Sequence, residues 1–153
     1  MFPLSNLISV DKADMVSDYK SQGWTEEFSV NIKLFDTQHR RLVELIARLE
    51  KAMSEGRGRP AVYEILLDLV DYCTQHFATE EAVMSAYDFP LRDIHVLEHS
   101  KFIESVKTLQ VQCASGEAAI SVQVLDHLRA WLSGHVLGSD KKYTEHLNSR
   151  GMF

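Results

Sequence analysis

Cysteine, proline and glycine are all scarce in this chain. The two cysteines, Cys73 and Cys113, are too few for a disulfide framework and too far apart for a paired zinc motif. Both fall inside apolar helical patterns, where buried free thiols are the expected state, and a cytoplasmic, reducing location fits them. Three prolines and seven glycines in 153 residues are few for a β-sandwich, which needs frequent turns. No apolar run approaches the roughly 20 residues that a membrane span requires. Residues 1–10 carry neither a cationic leader nor a continuous apolar stretch, so no signal peptide is read there. Basic clusters are missing as well. With 22 acidic against 16 basic residues the net charge is −6, the wrong sign for nucleic acid, and no polybasic patch addresses a membrane surface.

What is present is an ordinary globular composition, 45% apolar and 25% charged, in a chain long enough for one domain with its own core. Glycine and proline mark loops at Gly56-Arg57-Gly58-Arg59-Pro60, Phe89-Pro90 and Ser115-Gly116. The segments between them, 36–53, 61–88, 91–114 and 117–137, are rich in Leu, Ala, Glu, Lys and Val and show no period-2 alternation. Asp36 is expected to cap the first helix, and Pro90 to occupy the first turn of the third. Short loops favour antiparallel neighbours, so the predicted fold is all-α, an up-down-up-down four-helix bundle over residues 23–153. Residues 1–22 read as an extension outside it.

Steps of three and four trace the face each helix turns inward. The first stripe is Phe35, His39, Leu42, Ile46, Leu49, Met53, and the second Val62, Leu66, Leu69, Cys73, His76, Glu80, Val83, Tyr87. The third is Leu91, His95, His99, Phe102, Val106, Leu109, Cys113, and the fourth Ile120, Val124, Leu128, Trp131, His135. Every stripe carries histidine where hydrocarbon belongs. In an antiparallel bundle a site at one level uses alternating helix ends, and His39 (start), His76 with Glu80 (end), His95 with His99 (start) and His135 (end) follow that order. One inward histidine is most simply a core residue that has found a hydrogen bond. Five at one level, with a carboxylate, would leave many buried polar groups unsatisfied unless they ligate a metal. His127 and His146, the remaining two, fall off this level and read as partly exposed residues.

Five imidazoles and Glu80 exceed the four donors of structural zinc, and the nitrogen-rich set is unlike calcium or magnesium sites. Imidazole with carboxylate suits iron, and so many donors suit two ions that share carboxylates. A second bridging carboxylate is then expected near His135, and Asp140 is the candidate. Five residues turn a regular α-helix by about 500°, which leaves Asp140 off the face of His135. An irregularity at Gly138-Ser139 is therefore expected.

The motifs His76-Phe77-x-x-Glu80-Glu81-x-x-Met84, Phe89-Pro90, His95-x-x-Glu98-His99-x-x-Phe102 and Trp131-Leu132-x-x-His135-x4-Asp140-Lys141-x-Tyr143 closely resemble the hemerythrins, in particular their bacterial branch. Gly23-Trp24 and Asp36-x-Gln38-His39 fit the same pattern, and the resemblance spans residues 24–143. It implies two iron ions, cycling between Fe2+ and Fe3+ and bridged by an oxo or hydroxo group. His95, His99 and His135 would hold one, and His39 and His76 the other, with Glu80 and Asp140 bridging. The second iron would keep an open position for dioxygen.

The donor set itself points the same way. Two ferrous ions against two carboxylates and one hydroxide leave about plus one formal charge, which favours the reduced pair. The seam also lacks the Glu-x-x-His repeats of oxidising di-iron bundles. Trp131, Leu132 and Leu42 or Ile46 are expected to wall a dry pocket, with Asp36 or Glu98 orienting ring N–H groups. Reversible O2 binding for carriage, storage or delivery is thus the function expected, with dioxygen and an O2-consuming recipient protein as partners. The alternatives are a di-iron peroxidase or nitric oxide reductase-type enzyme, and an O2 or iron sensor. No Cys, Tyr or Arg is expected on the seam beside the metals, which weighs against the enzyme. No output domain follows Phe153, which weighs against the sensor.

Overall fold

A computed structural model describes residues 23–116 and 122–153. The extension expected over residues 1–22, and Ile120 of the fourth stripe, lie outside the described residues. Among these, every regular element is helical. A single 3-10 turn, Glu26–Phe28, leads into α1 (Lys33–Ser54), α2 (Arg59–Ala86) and α3 (Arg92–Ser115). The chain then runs through α4 (Val122–Gly134), a π-helical segment His135–Asp140, and α5 (Lys141–Asn148) without a break.

Helix α1 packs on α2 and α4, and α2 also packs on α3. Aromatic rings join the third and fourth helices, where Trp131 stacks on Phe102 at 3.8 Å. The tight connections between α1 and α2 and between α2 and α3 reverse the chain each time, which yields the antiparallel four-helix bundle.

The core is largely the traced seam. Phe35, Leu42, Ile46, Leu49, Leu66, Leu69, Phe102, Val106 and Leu128 are all buried, joined by Ile65, Phe77, Met84 and Leu132. Each such side chain contributes about 1.5–3 kcal/mol by leaving water, as an upper bound on folding. Met53, Val83, Tyr87, Val124, Leu109 and Trp131 are only half-buried. Leu91 departs from expectation and is 41% exposed, because the chain is still in the turn before α3 at that point.

Three boundaries also differ. Helix α1 begins at Lys33, so Asp36 lies inside the first turn rather than at the N-cap. Its carboxylate instead accepts the Val30 N–H at 2.7 Å and the Ser29 hydroxyl at 2.5 Å, fastening the incoming strand-like segment to the helix. Pro90 stands two residues before α3, in the turn where the Arg92 N–H reaches the Phe89 carbonyl. The helical path expected to stop at residue 137 continues to Asn148, and Tyr143 and Leu147 are completely buried there. Gly138 and Ser139 resemble a stop signal, but the wider π turn absorbs them and the apolar face resumes beyond. Lys141 and Thr144 of α5 donate to the carbonyls of Ser29 and Val30, so the first and last described segments brace each other.

Leu66 is fully buried in the first third of α2, ten residues from His76. Leu66→Ala should cost about 2–5 kcal/mol through lost burial and a residual cavity, read as a lower urea midpoint. Metal uptake per chain should be unchanged, because the cavity forms away from the histidine level.

Candidate metal centre

The alternating helix ends deliver five imidazoles to one level. His39 comes from the second turn of α1, His76 and Glu80 from the second half of α2, and His95 and His99 from the start of α3. His135 opens the π segment and Asp140 closes it. In a π turn the backbone bonds from i to i+5, so residue i+5 returns toward the face of residue i. This is the irregularity expected between them, and it brings Asp140 Oδ1 to 3.0 Å from His135 Nε2.

All seven predicted residues are buried. One oxygen and nitrogen set unites Glu80, His95, His99, His135 and Asp140 within 4.8 Å of one another, and a second unites His39, His76 and Glu80. The carboxylates divide their oxygens between the two groups. Glu80 Oε1 faces His39 at 3.4 Å and His76 at 3.6 Å, while Oε2 faces His99 at 3.2 Å and His95 at 3.5 Å. Asp140 Oδ2 faces His39 at 3.2 Å, while Oδ1 faces His95 at 3.1 Å and His135.

An outer ring of hydrogen bonds turns the imidazoles. His99 Nδ1 donates to Glu81 Oε1 at 2.9 Å, His135 Nδ1 to Glu98 Oε2 at 2.9 Å, and His76 Nδ1 to Gln38 Oε1 at 2.8 Å. In a neutral ring each donation leaves Nε2 as the free lone pair, aimed inward. Glu98 plays the orienting role expected of it; Asp36 does not, since its carboxylate is engaged by Ser29 and Val30. Glu81 and Gln38 stand in the motifs quoted above without an assigned role, because each faces the ring it orients only once α1, α2 and α3 are assembled.

Tyr143 likewise stands in the motif without an assigned role, and it corrects an expectation. A tyrosine does stand beside the cluster: its hydroxyl donates to Glu80 Oε1 at 2.5 Å from a fully buried position. Its spacing of three from Asp140 was the available signal. Rings close the surroundings, with Phe77 stacked on His99 at 3.8 Å and Trp131 on His135 at 4.5 Å. Leu42, Ile46 and Leu132 are buried in the core, and of the four expected wall residues Trp131 lies against a cluster ring. His127 and His146 are outside the cluster and half-buried; His146 Nε2 meets the Tyr87 carbonyl at 2.7 Å.

Charge is concentrated here. Burial opposes charge on His39 and His135, yet the Asp140 and Glu80 carboxylates outweigh it and raise their pKa values to about 9 and about 10. Burial likewise opposes ionisation of Glu80 and Asp140. The surrounding imidazoles nevertheless hold Glu80 well below the usual carboxylate range, and they hold Asp140 there even against the like charge of Glu80. Burial dominates at His76 and lowers it to about 4. The hydrogen bond from His135 takes Glu98 down to about 2.

Protein groups alone do not satisfy this set. Both ring nitrogens of His39, His95 Nε2, Glu80 Oε2 and both Asp140 oxygens are buried without a hydrogen-bond partner. His99 Nε2 and His135 Nε2 face each other at 3.0 Å, two lone pairs when both rings are neutral. Orphaned donors of this kind around a shared centre are satisfied by cations, so the residues fit a metal centre of more than one ion.

The fold and site thus define a four-helix bundle with a buried histidine–carboxylate centre. The family model described as the Hemerythrin HHE cation binding domain matches residues 30–147. The chain is 33% identical over 129 residues to a bacteriohemerythrin of Stenotrophomonas maltophilia, covering 82% of this chain and 83% of the relative. It is 30% identical to a bacteriohemerythrin of Methylococcus capsulatus (78% and 92% covered) and 30% identical to a myohemerythrin of Theromyzon tessulatum (78% and 88%). A crystal structure of wild-type hemerythrin superposes with a TM-score of 0.78 at 29% identity, covering 83% of this chain and 98% of that one. This chain belongs to the hemerythrin family, and its His/Glu/Asp cluster is consistent with a di-iron centre.

In the metal-free protein, His39 and His135 add stability that is complete below their unfolded pKa of 6.5 and lost as pH rises through about 9 and 10. His76 works in reverse, its contribution complete above 6.5 and lost as pH falls through about 4. Glu98 likewise stabilises above its unfolded 4.5 and loses that as pH falls through about 2. The urea midpoint of the metal-free chain should therefore peak near neutral pH and decline on both sides. A midpoint that stays level from pH 7 to 10 would contradict the charge state assigned to His39 and His135.

Proposed function

We propose that this chain binds dioxygen reversibly at a non-haem di-iron centre, serving O2 carriage, storage or delivery in the cytoplasm rather than turnover. The observation that carries the reading is the division of Glu80 and Asp140, each of which turns one oxygen to the His95 side and the other to the His39 side. That arrangement serves two ions sharing two carboxylates. His95, His99 and His135 would hold one iron, His39 and His76 the other, and Glu80 and Asp140 would bridge them together with an oxo or hydroxo group. The two-histidine side has one protein donor fewer. An iron pair held by these seven residues would supply the two electrons that reversible O2 binding needs.

The protein's own groups supply the setting. Glu80 and Asp140 are completely buried, and Phe35, Phe77, Trp131 and Tyr143 surround the imidazoles with hydrocarbon, which excludes bulk water. Burial, together with the Asp140 and Glu80 carboxylates, raises the Tyr143 phenol well above its ordinary pKa. Tyr143 therefore remains protonated and donates steadily to Glu80. Kinship with bacteriohemerythrins and a myohemerythrin supports the reading. The buried free thiols of Cys73 and Cys113 suit a reducing compartment.

A second reading, a di-iron peroxidase or nitric oxide reductase-type enzyme, gains one observation: Tyr143 places a phenol beside the centre. The visible spectrum separates the two. Anaerobic reduction, exposure to air and deoxygenation should cycle the protein between colourless and coloured states over repeated rounds. Irreversible oxidation, or turnover of an added substrate, would favour the enzyme. Glu80→Ala should abolish the two-iron signal while circular dichroism keeps its helical shape; two irons per chain in that variant would overturn the bridging role.

A further inference from the structure

The outer ring of hydrogen bonds is not the same on the two sides of the cluster. Behind the three-histidine group stand two carboxylates, Glu81 on His99 and Glu98 on His135, each at 2.9 Å from Nδ1. Glu98 is itself held by the Ser139 hydroxyl at 2.5 Å, and Ser139 belongs to the π segment that swings Asp140 inward. The same backbone irregularity thus aims one carboxylate at the centre and steadies another behind it. Behind the two-histidine group stands a neutral amide, Gln38, at 2.8 Å from His76 Nδ1. His39 Nδ1 is buried with no hydrogen-bond partner at all.

A carboxylate that accepts an Nδ1–H pushes electron density onto the ring and makes Nε2 a stronger donor; an amide does so much less. It also adds a negative charge about one ring's width from the cation, where low-dielectric surroundings leave it poorly screened. We infer that Gln38, Glu81 and Glu98 are positioning residues that rank the two metal sites. They make the His95/His99/His135 side retentive and leave the His39/His76 side as the one that loads last and empties first. The inference rests on the two-metal reading above. It extends that reading by assigning the difference in affinity to residues that touch no metal.

Release of iron tests it without reference to oxygen binding. The full chain is loaded anaerobically with two equivalents of Fe2+, and loss to a chromophoric ferrous chelator is followed over time. The wild-type protein should release iron in two phases. Gln38→Glu should slow the first phase by about 10-fold or more, and Gln38→Met should speed it, with the second phase unchanged in both. Glu98→Gln and Glu81→Gln should speed the second phase by about 10–100-fold and leave the first alone. Opposite shifts from two substitutions at Gln38, which is half-buried on α1, are not what loosened packing would produce. Single-phase release, or a first phase indifferent to Gln38, with two irons bound, overturns this inference alone. A chain that takes up fewer than two irons overturns the two-metal reading, and the inference with it.

Discussion

Two carboxylates with no access to water, Glu80 and Asp140, are the constraint on which the rest of this molecule depends. A buried charge is costly unless it is paired and hydrogen-bonded. Here each carboxylate is surrounded by imidazole nitrogens from three helical elements, and that requirement dictates where the helices start and stop. His39 and His95 must come early in α1 and α3, His76 late in α2, and His135 just beyond α4. Only an antiparallel order with short connections meets those positions at one level.

The π segment is the local solution to a geometric conflict. An α-helix that presents His135 to the centre turns a residue five positions later away from it. Widening one turn restores Asp140 to the centre and lets the same helical path continue, so that Tyr143 and Leu147 are buried beyond it. Irregular turns of this kind recur at functional sites because they reorient one side chain without breaking the helix. Ser139 and Tyr143 gain their contacts to Glu98 and Glu80 from the same adjustment.

Periodicity exposed the histidines because a polar residue on an apolar stripe violates the pattern that the core imposes. The same reasoning reached Asp140 through an expected irregularity. It failed where a residue's role depends on a neighbour from another helix. Asp36 carries the composition of an N-cap, but Ser29 and Val30 claim its carboxylate from outside the helix. Gln38 and Glu81 look like residues of a solvated face, and each nevertheless meets a ring across a helix interface. Tyr143 stands in the motif but beyond the helix end expected at residue 137, and its bond to Glu80 follows only from the assembled bundle.

By itself the sequence determined the helical class, the inward stripes, the level at which five histidines and two carboxylates gather, and the family, since spacing along one helix is local geometry. Tertiary structure alone decided which oxygen faces which histidine, which groups stand behind each ring, and how Tyr143 meets Glu80. The bonds behind the rings and at Tyr143 join residues 18 to 63 positions apart, on helices whose rotation about their own axes is set by packing and not by any local pattern.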